Sequence, residues 1–345
     1  MIWIRADANR EIGTGHVMRC LSVARALAQC GEQVCFLLAD ESAVPLLKAA
    51  GQAYRILHTD YIRMEGELPQ LTELLRKERP RFFLADSYFV TPEYVRKVRE
   101  YVPMGYMDDR CVSDLPVDLL INYNIFAGEA LYEDKGCRAA RLLLGTRYAP
   151  LRQEFAGVEY VVRERAEQVL ITTGGSDKYD LAGKLLREAL SRPETASLRY
   201  LVVSGAYNAH LQALRETEAE YGNVRVEVNV SDMCRLMRES DIAVSAGGST
   251  MYELSAVGVP IVCFSFVDNQ ERIVEEFAER GLVCFGGNYL RQGDEMFAPA
   301  VDNIARLAEN WELRQSYSRR QRLLVDGEGA LRIAREIGKE GADIV

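Results

Sequence analysis

The chain has 345 residues, 48% of them hydrophobic and 27% charged, with a formal net charge of −9. That length suits two domains of about 150 residues better than one core, and the composition is that of a folded globular chain, not a disordered one. The negative balance argues against holding a nucleic-acid backbone or an anionic membrane through overall charge.

In chain order, residues 2–5 read as a strand. Val17, Cys20, Leu21, Ala24, Leu27 and Ala28 then share one face of a helix ending near Gly31. Strand 33–39, helix 42–50, a strand near 53–57, helix 68–79 and strand 82–85 follow. Thr91-Pro92-Glu93 supplies an N-cap, a proline at the first helical position and an early acid for a helix to about Tyr101. Short strands at 104–107 and 117–121 close the first half. The rhythm breaks between about 150 and 165 and resumes with strand 168–172, helix 178–190, strand 199–204, helix 207–220 and strand 224–228. Helix 232–238, strand 242–245, helix 249–257 and strand 261–266 complete the second cycle, and further helices are expected at 269–281 and 308–338, the last placed to pack back on the first half. Such alternation predicts an α/β chain with parallel sheets flanked by helices, divided here at 1–155 and 156–345.

The eight cysteines are scattered without a C-x-x-C pair, and the three histidines form no H-E-x-x-H. Reduced thiols are therefore expected, with no disulfide frame, no metal site and no metal cofactor. Residues 1–7 lack a basic region followed by an apolar one, so no secretory signal is read there. The longest apolar runs, such as 261–267, are far short of the ~18 residues that span a bilayer. A cytoplasmic location with no membrane span is the expectation.

Three glycine turns stand between predicted strands and helices: Gly13-Thr14-Gly15-His16, Gly174-Gly175-Ser176-Asp177 and Gly247-Gly248-Ser249-Thr250. A helix opening on such a turn offers unsatisfied N–H groups to an anion, which suits a phosphorylated ligand. The first turn fails the dinucleotide fingerprint G-x-G-x-x-G because Met18 fills the third glycine position, which disfavours a nicotinamide enzyme. Its histidine sits in the first helical turn, where the positive end-field favours the neutral, proton-accepting imidazole, and His16 becomes a candidate base. Asp177 reads equally well as a helix cap or as part of a phosphate loop. Glu253, one turn into its helix, either complements the helix dipole or accepts from vicinal ribose hydroxyls. Asp268-Asn269-Gln270 and, in the first half, Asp7, Asp86-Ser87-Tyr88, Asp108-Asp109-Arg110 and Asn122-Tyr123-Asn124 lie at or near predicted strand C-termini, where doubly wound sheets hold their ligands.

Taken together, IRADANREIGTGHVMRCLSVARAL, ADSY, GTRYAPLRQEF, TTGGSD and SDMCRLMRESDIAVSAGGSTMYELSAVGVPIVCFSFVDNQ resemble the UDP-sugar hydrolases of the pseudaminic acid pathway and the related spore-coat polysaccharide proteins, over roughly residues 1–285. The last segment is more distantly similar to the N-acetylglucosaminyl transferase that makes lipid II. The resemblance implies a GT-B architecture, two facing Rossmann-like domains with an interdomain cleft, the second binding UDP. It also implies hydrolysis of UDP-2,4-diacetamido-2,4,6-trideoxy-β-L-altropyranose.

Carried over by position, His16 matches the catalytic histidine and Tyr88 the active-site tyrosine. Gly174, Gly175, Ser176 and Asp177, with Gly247, Gly248, Ser249 and Thr250, match the nucleotide-phosphate loops. Glu253 matches the ribose-binding acid, the backbone at Met233 the uracil contact, and Asn269 and Gln270 the polar pair near the sugar. Asp86 is expected to hold the sugar or share the water with Tyr88, and Asp7, Gly13, Gly15 and Asn124 to line the substrate site. The expected reaction is metal-independent attack of water on the anomeric carbon, with inversion. A glycosyltransferase or nucleotide-sugar 2-epimerase on the same fold, and a non-catalytic sugar-nucleotide-binding protein, are the rival readings.

Overall fold

A computed structural model describes residues 1–9, 11–111, 115–174, 177–205 and 208–340. The chain separates into two compact units, one of residues 1–153 and 327–345, the other of residues 154–326.

The first unit is built on a sheet of seven strands: β1 (Ile2–Ala6), β2 (Val34–Leu38), β3 (Ala53–Ile56), β4 (Phe82–Asp86), β5 (Met104–Met107), β6 (Leu119–Asn122) and β7 (Arg141–Leu144). Their spatial order is 3-2-1-4-5-6-7, and every neighbouring pair is parallel. β1 and β4 lie at the centre and are buried along their whole length, which is why both read as unbroken apolar runs interrupted only by groups that find partners. One core of this unit gathers Trp3, Leu37, Phe83, Tyr94 and Leu120. The C-terminal helix Gly329–Glu340 also belongs to this unit and packs against the helix Gly15–Gln29. Gly329 permits that return, because a Cβ there would stand 2.2 Å from the Ala149 carbonyl oxygen.

The second unit holds six strands: β8 (Gln168–Thr172), β9 (Arg199–Ser204), β10 (Val224–Val228), β11 (Ile242–Ala246), β12 (Ile261–Ser265) and β13 (Cys284–Asn288). The order β10-β9-β8-β11-β12-β13 repeats the pattern of the first sheet, again wholly parallel. Its core joins Ile171, Leu185, Val202, Val244 and Phe264 to Ile304. In both sheets the chain winds outward one way and then crosses back, so a topological switch point falls between β1 and β4 and another between β8 and β11. Ligands of open parallel sheets bind at the strand C-termini there.

Local chemistry moved several boundaries from where periodicity had put them. The helix expected from 178 begins at Leu181, because Asp177 and Asp180 take left-handed φ values of 38° and 56° and hold the chain in a turn. The helix expected from 207 begins at Leu211, since the Asn208 side chain accepts the His210 N–H at 2.8 Å and forms a turn of its own. The run expected as one helix over 308–338 is two, Trp311–Leu324 and Gly329–Glu340. β7 and β13 had no clear signal. β13 carries Gly286 and Gly287, poor strand formers in isolation, yet a Cβ at Gly286 would stand 3.1 Å from Val262 and 3.3 Å from Ala300. Close packing against β12 and the helix Phe297–Glu309 favours glycine there.

Candidate active site

At the first switch point β1 ends in Ala6, and the chain runs through a turn before entering the helix Gly15–Gln29. The turn is self-supporting: the Asn9 side-chain oxygen accepts the N–H groups of Glu11 (2.8 Å) and Ile12 (2.9 Å), and Gly13 takes a φ of +72° that other residues rarely adopt. Gly15 is different. Its φ is ordinary and a Cβ would meet nothing within 4 Å, so the protein's own packing gives no reason for glycine, whereas close approach of a ligand would.

His16 follows, 5% exposed. Its ring meets the edge of Tyr88, just past β4, with centroids 4.5 Å apart and planes at 81°. Nε2 is buried with no hydrogen-bond partner among the described residues. Leaving a buried polar nitrogen unpaired costs about 1–3 kcal/mol.

Arg19, one turn beyond His16, organises what surrounds it. Its Nε and Nη2 grip both oxygens of Asp86, with Nε at 2.6 Å, while Nη1 donates to Asp109 (2.8 Å) and to the Tyr123 hydroxyl (3.1 Å). Burial alone would raise the Asp86 pKa, but the adjacent Arg19 guanidinium, helped by His16, holds it below the ordinary carboxylate value. Tyr88 donates its hydroxyl to Asp109 at 3.3 Å. Burial and the Asp109 charge push that hydroxyl well up, so Tyr88 serves as a donor and not as a base. The Arg110 guanidinium lies over the Tyr88 ring, 5.3 Å from its centroid.

Two of the expected substrate contacts are spent inside the protein. Asp7 accepts the Ala39 N–H at 2.8 Å and pairs with the buried Arg5. Arg5 is in turn forked on Glu67 at 3.0–3.1 Å, and Tyr94 donates to Glu67 at 2.6 Å. Asn124 is buried, taking the Asn122 side-chain oxygen on its N–H (3.0 Å) and donating its amide to the Asp109 carbonyl (3.2 Å). It braces the loop carrying Asp109. Both oxygens of Asp86 likewise face Arg19, which leaves it to act on His16 through charge.

At the second switch point the register sets Thr172 of β8 beside Ser245 of β11, so the two remaining glycine turns leave the sheet side by side. Gly174 takes a φ of +94°, and Gly175 and Ser176 lie outside the described residues. The expectation that this turn opens a helix is corrected here. The helix starts at Leu181, and Asp177, 1% exposed, accepts the Leu181 N–H at 2.7 Å and the Ala182 N–H at 3.0 Å. Asp177 thus caps the helix Leu181–Ser191.

In the third turn the Gly247 and Gly248 N–H groups are taken by the Phe264 (2.9 Å) and Ala246 (2.8 Å) carbonyls, and the amides that follow them have no side-chain cap. β11 passes through Gly247 and Gly248 directly into the helix Ser249–Val257, and the glycine at the N-cap brings no side chain to the amides of Ser249 and Thr250. A Cβ at Gly247 would stand 2.3 Å from Val274 Cγ2 and 3.0 Å from the Gln270 carbonyl oxygen, so this glycine is required by the helix Asp268–Glu279. Gly248 has an extended backbone, and a Cβ there would meet nothing within 4 Å. The same packing brings Gln270 to the turn, its side-chain oxygen accepting the Phe266 N–H at 3.1 Å, with Asn269 exposed beside it. Glu253 lies half-buried one helical turn from Ser249, and Met233, also half-buried, opens the helix Met233–Arg238 capped by Asp232. Among the described residues no group of three or more His, Cys, Asp or Glu side chains is arranged to hold a metal ion, and no helix is long and apolar enough to cross a membrane.

Sequence reasoning passed over Arg19 and Asp109 as a pair. A three-residue step from His16 puts Arg19 on the same helix face, but that its partners come from β4, β5 and β6 follows only from strand order.

Two Rossmann-like units of parallel strands in this order make the fold GT-B. Across its length it resembles MurG of Acinetobacter baumannii (TM-score 0.69, 16% identity, 98% of this chain and 99% of that one). It equally resembles the UDP-GlcNAc 2-epimerase of Neisseria meningitidis, solved with UDP-GlcNAc (TM-score 0.68, 13% identity, 98% and 100%). In sequence the chain is 25% identical over 344 residues to the spore coat polysaccharide biosynthesis protein SpsG of Bacillus subtilis, covering 96% of each. It is 23% identical over 285 residues to the UDP-2,4-diacetamido-2,4,6-trideoxy-beta-L-altropyranose hydrolase of Campylobacter jejuni, covering 81% of this chain and 97% of the relative. No protein-family model matches the chain.

Proposed function

We propose that the chain hydrolyses a UDP-linked diacetamido-trideoxy sugar to UDP and the free sugar in polysaccharide biosynthesis. The observation that carries this reading is the buried His16 imidazole, unpaired at Nε2 and set against Tyr88 at the first switch point. The name of the Campylobacter jejuni relative supports the substrate class, and that of the Bacillus subtilis relative the role in polysaccharide biosynthesis.

In this mechanism the second unit holds the nucleotide, with the uncapped amides after Gly248 on the diphosphate, Glu253 on the ribose, the backbone at Met233 on the uracil and Asn269 toward the sugar. The first unit supplies the chemistry. Water attacks the anomeric carbon and passes its proton to His16. The bond from that carbon to the β-phosphate oxygen breaks, UDP leaves with the electron pair, and the carbon inverts. A positioned base of this kind contributes about 10²–10⁴-fold, and donors aimed at the leaving phosphate several kcal/mol more.

Incubation with the UDP-sugar in ¹⁸O water and no acceptor tests the reading: UDP release with label in the sugar is expected. Label in UDP, or release only when an acceptor is added, refutes it. His16→Ala should lower kcat by about 10²–10⁴-fold while leaving UDP affinity unchanged. Because transferases and epimerases share the fold, formation of a 2-epimer or of a glycosylated acceptor would move the assignment to that class, and binding without turnover to a binding protein.

A further inference from the structure

Arg19 makes four hydrogen bonds to three different strand ends. It forks on Asp86, the last residue of β4, reaches Asp109 after β5, and meets the Tyr123 hydroxyl after β6. The Asp109 oxygen that takes Arg19 Nη1 is the one that accepts the Tyr88 hydroxyl. Tyr88 in turn is held between the His16 ring on one side and the Arg110 cation. A continuous chain of contacts therefore runs from Arg19 through Asp109 and Tyr88 to the imidazole, while Asp86 reaches His16 only through charge.

Charge gives the same side chain a second task. One guanidinium faces two carboxylates, Asp86 and Asp109, so the cluster beside His16 carries about one net negative charge with Arg19 and about two without it. The other titratable or charged groups on this network are the Cys20 thiol, 3.4 Å from Asp86, the Tyr123 hydroxyl on Arg19, the Tyr88 hydroxyl on Asp109, and Arg110 over the Tyr88 ring. None of them substitutes for the fork. Only a planar, five-donor group spans two carboxylates at fixed angles.

We propose that Arg19 is the positioning residue of the His16 centre, setting Tyr88 against the imidazole through Asp109 and cancelling the charge of Asp86 beside it. Its kinetic consequence rests on the hydrolase reading; its structural one does not. The chain has only three histidines, His16, His58 and His210, so ring NMR signals are assigned by their loss in His16→Gln and then followed in Arg19→Met and Arg19→Lys. In Arg19→Met the His16 ring protons should lose the ring-current shift imposed by Tyr88, because Asp109 is no longer fixed to hold the Tyr88 hydroxyl. Arg19→Lys should not restore that shift, since a point charge neutralises without spanning both acids.

In turnover, kcat of Arg19→Met should fall about 100-fold, the scale of a misplaced reacting group, with KM within about threefold and partial rescue by added guanidinium. If Arg19→Met does not fold, the double variant with Asp86→Asn removes the more buried of the two stranded charges and still tests the Tyr88 contact. His16 signals in Arg19→Met that match wild type in shift overturn the proposal whatever the activity. The expected NMR changes without any UDP release from wild-type protein uphold the positioning and refute the hydrolase assignment alone.

Discussion

Gly247 and Gly248 are neighbours in sequence with opposite reasons for being glycine, and alanine at each separates them. At Gly247 the added Cβ would lie 2.3 Å from Val274 Cγ2 and 3.0 Å from the Gln270 carbonyl oxygen. The backbone oxygen cannot step aside without moving the start of the helix Asp268–Glu279. Overpacking of this kind costs about 1–3 kcal/mol, which for a unit of this size lowers Tm by roughly 2–12 °C. At Gly248 the backbone is extended, with φ −133° and ψ −162°, and a Cβ would meet nothing within 4 Å. There alanine should leave Tm unchanged or raise it slightly, since it restricts the unfolded chain by about 0.4–1 kcal/mol. The same methyl would project where a diphosphate must approach the Ser249 and Thr250 amides, so UDP affinity should fall at least about tenfold, or about 1.4 kcal/mol. Thermal melts and isothermal titration of UDP read both effects. A Gly248→Ala protein that binds UDP as wild type refutes the assignment of this turn to the nucleotide, and a Gly247→Ala protein that melts as wild type refutes the packing argument.

Asp177→Ala should lose about 1 kcal/mol of stability by uncapping the helix Leu181–Ser191, and Asp177→Asn, which keeps one acceptor oxygen, should lose less; urea unfolding ranks them, and equal losses would sink the capping role. Asp86 makes an acid-side prediction. Its folded pKa lies below its unfolded value, so the native state binds fewer protons there and stability rises with pH through that window. The contribution is fully present above the ordinary carboxylate pKa and disappears as pH falls through the lower folded one. Asp86→Asn, which leaves Arg19 short of a buried partner, should therefore be destabilised by about 3–5 kcal/mol at pH 7, with the gap to wild type closing in strong acid. A gap independent of pH would exclude the ion pair as its source.

Much of the fold is written locally. The unbroken apolar runs of β1, β4, β8 and β11 announce central parallel strands because both faces of such strands are buried, and the alternation with amphipathic helices requires crossover connections. The weaker strands escape that logic: β13 is a strand because it pairs with β12, packed closely enough at Gly286 that a Cβ would stand 3.1 Å from Val262 and 3.3 Å from Ala300, a fact about neighbours distant in sequence. His16 and Tyr88 were legible as candidates from residue type and from their place at or just past strand ends, yet nothing in the spacing showed that their rings touch.

Residue identity and periodicity alone settled the α/β class, the two winding cycles and the three glycine turns, since those depend on interactions within a few residues. Tertiary structure decided what each turn does. It gave Asp177 the helix amides, left those after Gly248 uncapped, and joined Arg19 to acids from strand ends 67 and 90 residues away. Hydrogen bonds and ion pairs between strand ends are set by the order in which strands assemble, which no local pattern encodes.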